Sequence, residues 1–190
     1  MAELATQTTG MPATGLITGD QLLLMGDIGP CELIDGKVVP MNPTNPEHGF
    51  VESNLCSEIR SFVRSRNLGW VITGEIGIYI RRNPDRVRGA DIVFLSKKTF
   101  PSLPTQGFLE VAPDLVVEVV SPGDPWREIE DKIDDYFEIK VRRVWIVEPK
   151  KRSVTVYQSR NQTVRLGPDD LLSDEEILPG FGLRVGDIFE

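Results

Sequence analysis

The stretch Leu115-Val116-Val117-Glu118-Val119-Val120 constrains the fold more than any other part of this chain. A strand with one wet face alternates apolar and polar side chains, whereas a nearly unbroken apolar run predicts a central strand covered on both faces. Such a strand needs helices or a second layer on each side, which predicts an α/β or α+β sandwich. At 190 residues and 40% hydrophobic content the chain is long enough to bury one such core. The expected organisation is a single domain over 15–190 behind a mobile tail over 1–14, where Thr, Ala and Gly follow no periodicity.

Other elements follow from local pattern. Thr18 is placed to cap a short helix over 18–26, and Asp35-Gly36 joins two apolar stretches as a tight hairpin turn within 31–41. Val51, Leu55, Ile59, Phe62 and Val63 recur at helical spacing, predicting a long helix from Pro46 to about Asn67. Strands are expected over 70–82, 88–96 and 114–121. A second helix over 126–140 carries Ile129, Ile133, Tyr136 and Phe137 on its inner face. Two more strands, around 142–149 and 153–159, flank a basic turn at Lys150, Lys151 and Arg152, and the C-terminal segment adds a last strand.

Charge and cysteine usage narrow the function. Twenty-one basic against 29 acidic residues leave a net charge of −8, so no global positive field draws the chain to a polyanion, and any such site must be local. Cys31 and Cys56 lack metal-knuckle spacing and read as reduced core residues. With no basic-then-apolar opening and no apolar run near the roughly 18 residues that span a bilayer, the expectation is a cytoplasmic protein with no membrane partner.

Within its strand, Glu118 shares a face with Val116 and Val120. An unpaired buried carboxylate costs several kcal/mol or becomes neutral, so a cation must lie nearby. Asp91 occupies a matching position, after Gly89-Ala90 and before the apolar run Ile92-Val93-Phe94-Leu95. Two carboxylates on strands of one sheet can converge on a divalent cation, and oxygen donors suit Mg²⁺ or Mn²⁺. A Glu118–Lys132 ion pair that ties helix to sheet without metal is the alternative. Helix geometry admits it: with Ile129 at 0° and about 100° per residue, Lys132 falls near 300°, bordering the buried stripe. Its stem can follow apolar surface while the ammonium reaches the sheet.

An Asp entering one strand, a Glu within the next and a nearby lysine resemble the PD-(D/E)XK nuclease superfamily. The ordered segments CELIDGKVVPM, EHGFVESNL, RGADIVFL, DLVVEVVSP, DKIDDYFEIKVRRVWIVEP and SVTVYQ resemble its Uma-type family of restriction-endonuclease relatives over about residues 18–188. The resemblance implies a restriction-endonuclease-like mixed β-sheet flanked by helices, with an N-terminal hairpin and extra C-terminal strands. It further implies a Mg²⁺- or Mn²⁺-dependent endonuclease acting on DNA, with Asp91, Glu118 and the Val119 carbonyl as metal ligands. The strand lysine of the superfamily is absent, since its position is Val120, and the resemblance assigns its role to Lys132. His48, with Glu52 four residues on, is expected to add to the metal shell or to make a local helix-terminus contact. Arg82, Arg86 and Arg88 read as phosphate contacts beside Asp91 or as an ordinary solvated turn. Tyr136, Trp126 and Trp145 read as packing or interface residues, and Arg142, Arg143, Lys150, Lys151 and Arg152 as surface charge. A homodimer is expected by analogy with duplex-cutting enzymes. The competing function is an inactive nuclease fold that binds nucleic acid or a protein partner.

Overall fold

The computed structural model describes residues 15–190, and the expected tail over 1–14 lies outside the described residues. Helix α1, Gly19–Leu24, begins at Thr18, whose side chain accepts from Gln21 N while the Gln21 side chain caps Thr18 N in return. Strands β1, Cys31–Ile34, and β2, Lys37–Pro40, form the expected hairpin. Asp35 and Gly36 both take positive φ, 53° and 77°, the left-handed pair that a two-residue turn requires.

Helix α2 runs Pro46–Ser65, and its N-cap Asn45 accepts from His48 N at 2.9 Å. That single bond holds the first turn where His48 sits. Asn45→Ala is expected to cost about 1 kcal/mol of stability, read as a shift in urea midpoint at constant slope.

Strand β3, Gly69–Arg81, pairs along almost all of β4, Arg86–Ser96. A bulge between Thr73 and Ile76, with Gly74 at φ 103°, breaks the register and turns Glu75. Strand β5, Leu115–Val119, is buried at all five positions as its sequence demands. After helix α3, Trp126–Glu138, comes β6, Arg143–Glu148, parallel to β5. A short 3₁₀ turn over Pro149–Lys151 leads into β7, Ser153–Ser159, and β8, Gln162–Leu166. The sheet order is β2-β1-β4-β5-β6-β7-β8, with β3 on the other edge of β4.

The two faces of this mixed sheet bury different helices. Val51, Leu55, Ile59 and Val63 of α2 pack with Ile92, Phe94, Val117, Val119 and Trp145. Ile129, Ile133 and Tyr136 of α3 pack with Val93, Val116, Val144 and Ile146 on the opposite side. β5 contributes alternate residues to both cores, which is why its sequence is apolar throughout.

The C-terminal segment forms the expected last strand, but apart from the main sheet. Among the described residues β10, Leu178–Arg184, pairs only with β9, Leu171–Asp174, in a separate two-stranded sheet, and a 3₁₀ turn over Val185–Phe189 follows. The resemblance implies extra C-terminal strands, but local pattern places neither β8 nor β9, because β8 is an exposed edge strand of mixed polarity and β9 is only four residues long.

Candidate active site

One edge of β4 carries two partners with a gap between them. β1 meets it at Leu33↔Val87, and β5 begins at Ile92↔Val117. Among the described residues, positions 88–90 therefore face no strand on that side, and their backbone groups need other partners. Side chains provide them. Glu32 accepts from Gly89 N at 3.0 Å, Gly89 O accepts from Lys132 Nζ at 2.9 Å and from the Tyr136 hydroxyl at 3.3 Å, and Asp91 Oδ2 accepts from Val119 N at 2.6 Å. The chemistry-bearing residues thus gather where the ladder opens.

The register carries Asp91 to the position opposite Glu118, and both are buried, each 4% exposed. Glu118 is held by Lys132 Nζ at 2.9 Å and by the Tyr136 hydroxyl. Lys132 also lies 3.5 Å from Glu32. Burial disfavours the Glu118 carboxylate, and the Asp91 charge adds to this, so its pKa rises to about 8 although Lys132 opposes the shift. Burial lowers the Lys132 value, but the Glu118, Glu32 and Asp91 charges outweigh it and hold the amine protonated. Tyr136, read from sequence as packing, is fully buried and also orients Glu118.

His48 faces Asp91 from α2. Its Nδ1 lies 3.0 Å from Ser121 Oγ, while Nε2 is buried with no hydrogen-bond partner among the described residues, 3.3 Å from Asp91 Oδ1 and 3.7 Å from Glu52 Oε2. One ligand atom each from His48, Glu52 and Asp91 lie within 4.8 Å of one another. An orphaned ring nitrogen between two carboxylates suits a divalent cation of the Mn²⁺ type, which accepts imidazole and oxygen together. Glu118 lies outside this group, and its two oxygens are engaged by Lys132 and Tyr136. Glu52 further accepts from the Thr73 hydroxyl.

Burial pulls the His48 pKa down, but the Asp91 carboxylate 3.3 Å away, with the Glu52 and Glu75 charges, raises it overall. A folded-state value above the unfolded one means that protonated His48 contributes stability fully present below the unfolded value and lost as pH rises through the folded one. In chelator, the urea-stability gap between wild type and His48→Gln is therefore expected to be widest below about pH 6.5 and to close above the folded-state value.

The three arginines expected to contact phosphate are each paired with carboxylates of this chain. Arg88, 8% exposed, donates to Glu32 at 2.7 Å and to Asp135 at 2.6 Å. Arg86 bonds Asp35 at 3.0 Å and Asp135 at 2.7 Å, and Arg82 stacks on the Tyr79 ring at 3.6 Å while bonding Asp85, Asp20 and Glu110. Carboxylates mostly distant in sequence fold against these arginines and pair their charges. Arg143 is likewise no free surface charge, as it donates to buried Asp174 at 2.6 Å. Trp145 is fully buried as read, whereas Trp126 is 42% exposed.

Sequence reasoning missed Glu32, Glu75 and Ser121. Glu32 and Glu75 line the same cleft of about 620 Å³ as His48, Glu118, Val119 and Lys132, and its walls are the segments 39–45 and 121–125. Burial, then the Asp91 charge, raises the Glu75 pKa. The one local signal for Glu75 is its place beside Gly74, where the strand pattern breaks.

Among the described residues, no helix is long and apolar enough to cross a membrane. Comparison with known proteins accords with the site's setting. The profile of the Uma2 family, described as "Putative restriction endonuclease", matches residues 20–186. No curated protein matches. Among solved structures, one described as a putative nuclease belonging to DUF820, from Anabaena variabilis, superposes with a TM-score of 0.77 at 21% identity, covering 91% of this chain and 97% of its own. At that identity the likeness establishes the fold alone. With the profile running from α1 to the end of the C-terminal sheet, this chain belongs to the Uma2 family of putative restriction endonucleases.

Proposed function

We propose that the protein is a metal-dependent endonuclease that hydrolyses phosphodiester bonds in DNA. The observation that carries this reading is the Lys132 ammonium 2.9 Å from Glu118, with the Asp91 carboxylate on the neighbouring strand and the free His48 nitrogen 3.3 Å beyond it. Asp91, Glu118 and the Val119 carbonyl would hold Mg²⁺ or Mn²⁺, with His48 and Glu52 completing the shell. When bound, the cation neutralises phosphate charge and lowers the pKa of a water. Lys132 positions that water or stabilises the charge developing on phosphorus oxygens. Tyr136 keeps Glu118 facing the lysine, and Asp91 is fixed by Val119 N.

The test is isothermal titration with Mn²⁺ beside a plasmid-cleavage assay in Mg²⁺ or Mn²⁺. Wild type is expected to bind and cleave, and Glu118→Gln to lose most of both. Equal heats from the two proteins overturn the metal-site reading. An inactive nucleic-acid-binding fold is the second reading, favoured by Val120 in place of the strand lysine. Cation binding without cleavage of any plasmid would support it. The proposal includes a homodimer, for which the exposed edge strand β8, with Val164 47% exposed, offers a pairing surface. Light scattering that returns a monomer mass at working concentration overturns that part.

A further inference from the structure

We infer that the rim of the cleft at Trp126 is a track for an unpaired nucleic-acid strand, with a base stacked on the indole and adjacent phosphates meeting Arg127, Lys150 and Lys151. The inference rests on the nuclease reading for its substrate class and deepens it.

Trp126 opens α3 directly after Pro125, a residue of the cleft wall, and is 42% exposed, whereas Trp145 is wholly buried. Its ring has two partners. Nε1 donates to Glu130 at 3.1 Å, and Lys151 Nζ stands 5.9 Å from the ring centroid while also pairing with Glu148. Arg127 and Lys150 are exposed and have no carboxylate partner among the described residues. An ordered, exposed aromatic face beside cations is the arrangement by which single strands are held without sequence readout.

Topology brings these groups to the site. β5 and β6 are parallel, with Val119 opposite Val147, so the loop over 121–125 and the turn over 149–151 leave the same end of the sheet. Ligands of open α/β sheets bind outside these carboxyl ends.

The cleft itself is a poor attractor for a polyanion. Glu32, Glu75, Glu118, Asp124 and Glu128 line it against His48, Arg88 and Lys132. Affinity must therefore come from the rim, and stacking supplies it without a positive net charge. The scissile phosphate has to descend between two loops, since Glu118 is 4% exposed and the Lys132 side chain 15%. A duplex, with a persistence length of about 50 nm, resists such a local dip, and its bases already stack on one another. An unpaired strand meets neither obstacle, and a negatively supercoiled plasmid offers one wherever its helix opens locally.

The test uses full-length protein in EDTA with fluorescent dT12 and the matching dT12·dA12 duplex, read by anisotropy. Wild type is expected to bind the single strand at least about 10-fold more tightly than the duplex. Trp126→Ala is expected to weaken dT12 binding roughly 5- to 150-fold, and Trp126→Phe, which keeps a stacking face, to restore most of it. Removing Arg127 and Lys150 together should flatten the log–log salt dependence by about 1.4, at about 0.7 per phosphate contact on a single strand. Unchanged dT12 affinity in Trp126→Ala, or duplex binding as tight as single-strand binding, overturns the inference. The same preparations are then assayed for Mn²⁺-dependent cleavage of dT12. Cleavage with Trp126-independent affinity overturns the track and leaves the nuclease reading standing. Trp126-dependent binding with no cleavage overturns the nuclease reading and supports the track.

Discussion

Lys132→Met is expected to lower plasmid cleavage by about 10³-fold while Mn²⁺ still binds. The ammonium lies 2.9 Å from both Glu118 and Gly89 O and is the one lysine lining the cleft. If it stabilises charge on the reacting phosphate, its loss removes about 4 kcal/mol of barrier lowering, the scale of a single well-placed donor, which is about three decades of rate. Lys132 is not itself one of the proposed cation ligands, so calorimetric heats should survive. Asp91→Ala separates the roles, because it is expected to abolish both binding and cleavage. Methionine keeps the stem's contacts along the apolar surface, so a fall in rate is not explained by lost packing. Rates within a few-fold of wild type in Lys132→Met would show that the helix lysine does not replace the missing strand lysine.

Arg88→Met is expected to destabilise the fold by about 3–5 kcal/mol. Arg88 joins Glu32 of β1 to Asp135 of α3, and all three are buried. Removing the cation leaves two buried carboxylates each short of a partner, with Lys132 3.5 Å from Glu32 as its remaining cation, a cost above that of losing a surface pair. Arg86 still bridges Asp135 to Asp35, which keeps the expected loss toward the lower end. A triple variant with Glu32→Leu and Asp135→Leu added should recover much of the stability, since apolar groups of similar volume substitute well for a buried ionic network. Urea unfolding at constant slope measures both. Unchanged stability with weakened DNA binding would instead return Arg88 to the phosphate-contact role expected from sequence.

The contrast between Lys132 and Arg88 marks what could be read in advance. Both are cations beside Asp91 or Glu118 in the sequence pattern, yet one faces the cleft carboxylate and the other ties β1 to α3. Lys132 was placed by helix periodicity, which is local and holds to within part of a turn. The fate of Arg88 depends on Glu32 and Asp135, which stand 56 and 47 residues away. Tyr136 shows the same division. Its inner-face position follows from spacing, whereas its bond to Glu118 depends on how α3 crosses β5.

By itself the sequence determined the elements that rest on short-range physics. The hairpin turn at Asp35-Gly36, the capped helices and the doubly buried strand around Glu118 follow from φ preferences, periodicity and continuous apolarity. Only the tertiary structure decided where β4 loses its partner strand between Val87 and Ile92. That gap draws Glu32, Lys132 and Tyr136 to backbone groups of Gly89, because a buried amide or carbonyl without a ladder must find another partner. Which charges neutralise one another and which remain for chemistry is settled by that long-range pairing, and no local pattern encodes it.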